Sequence, residues 1–146
     1  MGMLAPSTRQ FRLIVTAALL AWTIPVIIPT VGLLSFSEDV TNARTWNYLD
    51  ARLPFRAIQA WWVVNAIATV VGLVGLLHFW PPARWILAGA LVAALLIQPL
   101  IGLLVLSPFE QIFAGCYNAA SVWILTVSFW SELAGNFDRD QRENGI

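Results

Sequence analysis

Charged residues are scarce in this chain of 146 residues. Asp, Glu, Lys and Arg make up 11% of it, against 59% hydrophobic residues, whereas a soluble domain carries about 25% charged residues. Every basic residue is an arginine, and an equal number of acidic residues brings the formal net charge to zero. A neutral chain has no basic field with which to attract nucleic acid. We therefore expect an integral membrane protein whose surroundings are a lipid bilayer, with no nucleic-acid partner.

The side chains of metal and redox chemistry are equally rare. Cys116 is the single cysteine and His78 the single histidine. One cysteine excludes an intrachain disulfide and a CxxC pair, and one histidine cannot ligate haem iron from both sides within one chain. The HExxH, GxSxG, P-loop and GxGxxG motifs are missing as well. The sequence therefore predicts no metal site, no cofactor and no enzymatic activity, and a membrane enzyme acting on lipid or quinone is the least favoured alternative.

What the chain does contain is long apolar stretches. The longest covers residues 57–109 and includes one charge, Arg84, beside the pair Pro81-Pro82. As one helix it would measure on the order of 80 Å, whereas the hydrocarbon core of a bilayer is about 30 Å thick, so it must double back at the prolines. We predict an all-α polytopic membrane protein, a single domain over residues 1–146 in which four transmembrane helices form a bundle. The predicted helices lie near residues 11–34, 57–80, 84–106 and 112–133, with an outer loop over 37–56 and a cytoplasmic tail over 137–146.

Arginines near the predicted helix ends indicate the orientation, because cytoplasmic loops carry an excess of basic residues. With the N-terminus inside, five arginines lie on the cytoplasmic side and three lie outside. The sequence therefore predicts that both termini are cytoplasmic. The cytoplasmic set is Arg9, Arg12, Arg84, Arg139 and Arg142, and the outer set is Arg44, Arg52 and Arg56.

Three amides interrupt the apolar helices, namely Asn65, Gln98 and Asn118. A rise of 1.5 Å per residue places all three in the outer half of the membrane. Thr23 and the prolines of helix 1 are at a similar level. Because unsatisfied amides in hydrocarbon are costly, we expect these groups to find one another or the carbonyls freed by the prolines. They are predicted to be packing contacts between helices or, as the sharper hypothesis, to line a small cavity for water or a neutral polar ligand.

A second polar group is predicted at the cytoplasmic end, where His78, Arg84 and Glu132 are at one level. A histidine beside a carboxylate and an arginine is a candidate pH-responsive cluster, since histidine titrates near neutrality. The favoured interpretation is an interfacial cluster that anchors the helix ends. Three tryptophans are expected beside it: Trp80, Trp85 and Trp130.

Several motifs of the second half carry a resemblance to a known group. Residues 78–85 read HFWPPARW, residues 98–102 read QPLIG, and Trp123, residues 129–133 and Phe137 follow. Together, over about residues 76–137, they resemble a pattern of uncharacterised small bacterial inner-membrane proteins with four predicted helices. The resemblance implies four helices and multi-pass insertion in a bacterial inner (plasma) membrane. It implies no activity.

These observations lead to two function hypotheses. The first is a non-enzymatic accessory or assembly subunit that packs against a membrane-protein partner or forms a homo-oligomer. Its support is the small residues at helical spacing, including the pair Gly89 and Ala93. Gly72 and Gly75 are likewise expected to allow close helix packing. The alternative is a small transporter, channel or ligand-binding protein that uses the amide layer.

Overall fold

The structure is a computed structural model that describes residues 6–30, 52–101, 108–131 and 133–137. Within these residues there are four long helices and no strand. They are α1 (Thr8–Thr30), α2 (Phe55–Leu77), α3 (Pro81–Ile101) and α4 (Pro108–Trp130). A single helical turn follows over residues 134–137. The all-α prediction is confirmed. Residues 37–51 of the predicted outer loop (37–56), residues 138–146 of the predicted tail (137–146) and Glu132 lie outside the described residues.

Three of the helices are long and apolar enough to cross a membrane. They are Phe55–Leu77, Pro81–Ile101 and Phe109–Trp130, with mean hydropathies of 2.0, 1.8 and 1.5. Large apolar side chains such as Val64 and Leu95 are exposed on their surfaces, which suits lipid far better than water. The chain is thus a multi-pass membrane protein. α1 is 23 residues long, and its predicted crossing and the four-helix bundle remain predictions.

Every helix begins earlier than the sequence pattern predicts. In three of the four, a proline stands at or just before the first residue. Pro81 and Pro108 are the first residues of α3 and α4, and Pro54 is the N-cap of α2. Proline suits a first turn, where its missing N–H would have no intrahelical partner. Treated only as helix breaks, the same prolines predict later starts, at residues 57, 84 and 112. The ends shift as well, so α2 ends at Leu77 and α4 at Trp130.

The start of α1 is set by a capping box over residues 7–10, Ser-Thr-Arg-Gln. The Ser7 hydroxyl accepts a hydrogen bond from the Gln10 backbone N–H at 3.2 Å, and the Gln10 side-chain oxygen accepts one from the Ser7 N–H at 2.9 Å. This reciprocal pair satisfies two backbone donors that no helix carbonyl can reach. It explains why α1 begins at Thr8 and not near Phe11.

Pro25 and Pro29 lie four residues apart in helix 1, where the sequence predicts a kink or a broken helix. The helix is not broken, since α1 continues to Thr30. A proline costs its helix one hydrogen bond, whereas opening the backbone in an apolar environment would expose several unpaired groups. Continuing the helix is therefore the less costly arrangement. Pro99 is accommodated inside α3 in the same way.

The helices pack most closely as an α2–α3 hairpin and an α1–α4 pair, which meet mainly through α1 and α2. Two glycines bring α2 against α3. A Cβ on Gly72 would lie 3.0 Å from the Cβ of Leu87, and one on Gly75 would lie 2.7 Å from the Cβ of Ala83. The expected close packing through these glycines is confirmed.

The turn between α2 and α3 covers residues 78–80, just before the predicted proline pair. The Phe79 N–H donates to the Leu76 carbonyl at 3.2 Å, and the Trp80 N–H donates to the Gly75 carbonyl at 2.9 Å. This pair of bonds is a Schellman motif, whose left-handed residue is usually glycine. Here that residue is Phe79, with φ of 56°. An aromatic residue in this conformation is strained, so its ring contacts must hold it there.

Those contacts belong to a core at one end of the molecule, which we call the hairpin end. It is the end at which the 78–80 turn lies, where α1 and α3 start and α2 and α4 finish. Phe11, Leu76, Leu87, Ile124 and Phe137 are fully buried there. The opposite end, called the far end, holds fewer buried apolar side chains among the described residues.

Candidate functional site

The predicted layer of amides is not assembled. Gln98 and Asn118 are exposed, and Asn65 is half-buried. Thr23 is half-buried too, and its hydroxyl donates to the Leu19 carbonyl of its own helix at 2.9 Å. The error for Asn118 is one of helical phase, because the buried face of α4 passes through Tyr117, and one residue is a rotation of about 100°.

A different set of polar side chains lies on inward-facing positions of α2 and α4, and we call it the inner polar cluster. Tyr117 contacts Thr69 and Ser121, and the fourth member, Asn65, lies one turn before Thr69 on α2. Thr69 is 2% exposed and Ser121 is fully buried. The phenol of Tyr117 lies against the hydroxyls of both. This contact joins α4 to α2 in the interior of the protein.

Two atoms of the inner polar cluster have no hydrogen-bond partner among the described residues. They are the Oδ1 of Asn65 and the Oγ of Ser121, both closed off from the surface. The geometry at Ser121 therefore leaves its hydroxyl close to Tyr117 without a well-formed hydrogen bond. By contrast, the hydroxyl of Ser128, which is equally buried, donates to the Leu125 carbonyl at 3.0 Å. A buried group without a partner costs about 1–3 kcal/mol, so the cluster has hydrogen-bonding capacity that the described chain does not use.

The sequence pattern marks three of the four members as polar positions inside apolar helices, but it does not predict that they belong to one cluster. Thr69 and Ser121 lie on helix faces where small and polar residues recur at helical spacing, which is typical of helix packing in membranes. Asn65 is a member of the predicted amide layer. Tyr117 was missed. A phenol four residues before a serine in an apolar helix was the available signal, because residues at that spacing share one helix face.

Arg84 lies at the hairpin end, half-buried between α3 and α4. Its guanidinium carbon is 5.2 Å from the ring centre of Phe129 and 5.7 Å from that of Phe137. Its Nη1 donates to the Ser128 carbonyl at 3.4 Å. Cation–π contacts of this kind contribute about 0.5–2 kcal/mol each. Arg84 thus ties the start of α3 to the end of α4 and to the 134–137 turn.

Around this arginine the aromatic rings form one connected group. The Phe11 ring is 5.7 Å from Phe79 and 6.2 Å from Phe137, and Phe79 is 5.1 Å from Phe137. The guanidinium carbon of Arg12 lies over the Phe79 ring, 5.4 Å from its centre. The strained residue of the hairpin turn is therefore held by two phenylalanine rings and an arginine.

The predicted pH-responsive cluster gains no support from the placement of His78. This residue is exposed, and its Nδ1 lies 2.9 Å from the Val74 carbonyl of its own helix. The tryptophans named beside it are exposed, with Trp85 at 66% and Trp130 at 80%. Exposed tryptophans at the end of a transmembrane helix are typical of the headgroup level, which favours the anchoring interpretation.

Replacing Arg84 by glutamine is expected to lower the free energy of unfolding by about 1–2 kcal/mol, because two cation–π contacts and a hydrogen bond are lost. Unfolding in mixed detergent micelles, followed by circular dichroism, measures it. Arg12→Gln is the matched control, since Arg12 is exposed and covers one ring. Its cost should be no more than about half as large. Equal costs for the two variants would contradict the role given to Arg84.

No group of three or more His, Cys, Asp or Glu side chains that could hold a metal ion occurs within the part of the chain that the structure describes. Comparison with known proteins adds no assignment to these sites. No protein-family model matches the chain, and neither a curated protein nor a solved structure shows significant similarity to it.

Proposed function

We propose that this protein is a non-enzymatic accessory or assembly subunit of a membrane complex, which packs α4 against a transmembrane helix of a partner protein. In this proposal α1 also crosses the membrane, the four helices form a bundle, and both termini lie in the cytoplasm of a bacterium. The basis is the exposed side of α4, which differs from the exposed sides of α2 and α3.

The exposed sides of α2 and α3 carry large apolar side chains that suit lipid. They include Val63, Val64, Ile67, Val71, Val92, Leu95 and Leu96. Part of the exposed side of α4, called the outer face of α4, carries smaller and more polar residues: Gln111, Gly115, Asn118, Ala119, Val122 and Thr126. Ile112, Cys116 and Trp130 are exposed beside it. Small residues let helix backbones approach each other, and polar side chains then form hydrogen bonds between helices in the membrane.

Asn118 is the observation that carries the proposal. Its amide is exposed, and it lies about 15 Å from the start of α4 and about 18 Å from its end, which is the middle of the span. An asparagine side chain is too short to reach the headgroups from that depth. An amide that faces hydrocarbon without a partner is costly, whereas a neighbouring helix would supply a hydrogen bond.

Gly115, one turn before Asn118, leaves room for such a helix. A Cβ built on it would meet nothing within 4 Å. The hydroxyl of Thr126 donates to the Val122 carbonyl at 2.8 Å. Its hydrogen bond is therefore made within α4 and needs no partner helix. Asn118 is then the polar centre of a surface on which a second backbone can come close.

Native mass spectrometry of the protein released from its own membranes in mild detergent tests the proposal. We expect a stoichiometric second membrane protein that is lost or weakened about 3–20-fold by Asn118→Leu, since hydrogen bonds between membrane helices contribute about 0.6–1.7 kcal/mol. Gly115→Leu should weaken it further by blocking close approach. Gln98→Leu is the matched control, because Gln98 is also exposed but lies near the end of α3.

A monomer that carries lipid alone, with identical spectra for all three variants, would contradict the proposal. A homo-oligomer sensitive to Asn118→Leu would assign the outer face of α4 to self-association instead. The alternative function, a small ligand-binding or transport protein, is favoured by one observation only. That observation is the inner polar cluster, which lies on the other side of α4.

A further inference from the structure

We infer that the inner polar cluster binds a compact, uncharged molecule that can both donate and accept hydrogen bonds. The molecule would bind between α2 and α4 and form hydrogen bonds with the Oδ1 of Asn65 and the hydroxyl of Ser121, which have no partner among the described residues. This site is separate from the outer face of α4, and the inference does not depend on the proposed packing function.

The four side chains are arranged in two levels. α2 and α4 both run from the far end towards the hairpin end. Asn65 and Tyr117 are each about 14–15 Å from the start of their helix, and Thr69 and Ser121 are each about 20–21 Å from it. Each helix therefore contributes two members that are one turn apart, and Tyr117 links the two helices through its contact with Thr69. All four positions lie near the middle of their helices.

The two atoms that lack a hydrogen-bond partner determine which molecules can bind. The Oδ1 of Asn65 is an acceptor, so the bound molecule must present an N–H or O–H group. The hydroxyl of Ser121 can donate, so the molecule must also present an acceptor. An alcohol, a carboxamide or water meets both requirements.

The surroundings of the cluster exclude a charged ligand. Residues 13–30, 57–77, 85–101 and 111–130 contain no Asp, Glu, Lys or Arg. An ion at mid-membrane would lack a counter-charge and pay a large desolvation cost. The site should therefore discriminate against ions and accept neutral molecules.

Towards the hairpin end, the interior next to the inner polar cluster is filled by the core that includes Leu73, Leu87 and Ile124. A bound molecule would therefore be limited by apolar side chains on that side.

The test uses fluorine NMR, because the chain has two tyrosines and 3-fluorotyrosine labelling gives one resonance for each. The full-length protein in lipid nanodiscs is titrated with glycerol and, separately, with acetamide. Tyr48→Phe assigns the Tyr117 resonance. We expect a saturable shift of this resonance with glycerol or acetamide.

Ser121→Ala should abolish the shift, and Thr69→Val, which is nearly isosteric, should reduce it several-fold. Ser128→Ala is the matched control, since its buried hydroxyl is already satisfied within α4, and it should keep the full shift. Circular dichroism verifies that each variant is folded. If the Tyr117 resonance responds to neither glycerol nor acetamide, or responds equally in Ser121→Ala, the inference is overturned.

Discussion

Replacing Phe11 by alanine is expected to lower the free energy of unfolding by about 3–5 kcal/mol. Phe11 is fully buried, and its ring contacts Phe79, Trp123 and Phe137 with centroid distances of 5.7–6.4 Å. Removing it leaves a cavity at the point where the start of α1, the hairpin turn and the 134–137 turn meet. The lost dispersion contacts would also release the strained backbone of Phe79 from the ring that stacks on it.

Reversible unfolding in mixed detergent micelles measures this change. Trp130→Ala serves as the control, because Trp130 is larger than Phe11 but 80% exposed, and its loss should cost less than about 1 kcal/mol. Comparable losses for the two variants would show that the aromatic group at the hairpin end does not hold the helices together.

Gly75→Ala should be the second most damaging of the single substitutions, with a cost of about 1–3 kcal/mol. The new Cβ would lie 2.7 Å from the Cβ of Ala83 and 2.9 Å from the Cε3 of Trp80. The Ala83 Cβ moves only with its backbone, so α3 itself must shift away from α2. That shift would loosen the hairpin on which the 78–80 turn depends.

Gly89→Ala provides a comparison within the same hairpin. A Cβ at Gly89 meets nothing within 4 Å, and alanine favours the helix by about 0.8–1 kcal/mol over glycine. We expect this variant to be neutral or slightly more stable in the same unfolding measurement. A destabilised Gly89→Ala together with an unaffected Gly75→Ala would reverse the assignment of α2 and α3 as the close pair.

The positions of the helix ends show how far local sequence rules extend. The capping box of Ser7 and Gln10 and the prolines at the starts of α2, α3 and α4 are local signals, and they account for the observed starts. We misjudged them by treating proline only as a break, although it suits a first helical turn. The left-handed Phe79 was not predictable in this way, because the rings that stabilise it come from α1 and the 134–137 turn.

A helical, membrane-spanning protein was predictable from the sequence, because an uninterrupted apolar run in lipid satisfies its own backbone hydrogen bonds by forming a helix. Which face of each helix is inside was visible only once the helices were packed together. In water an apolar face marks the interior, but here α2 is apolar all round, and lipid is as favourable to valine as a protein core is. Periodicity therefore could not show that Asn118 faces outwards and Tyr117 inwards. Those directions follow from which helices pack against α4, and they place the inner polar cluster and the outer face of α4 on different sides of one helix.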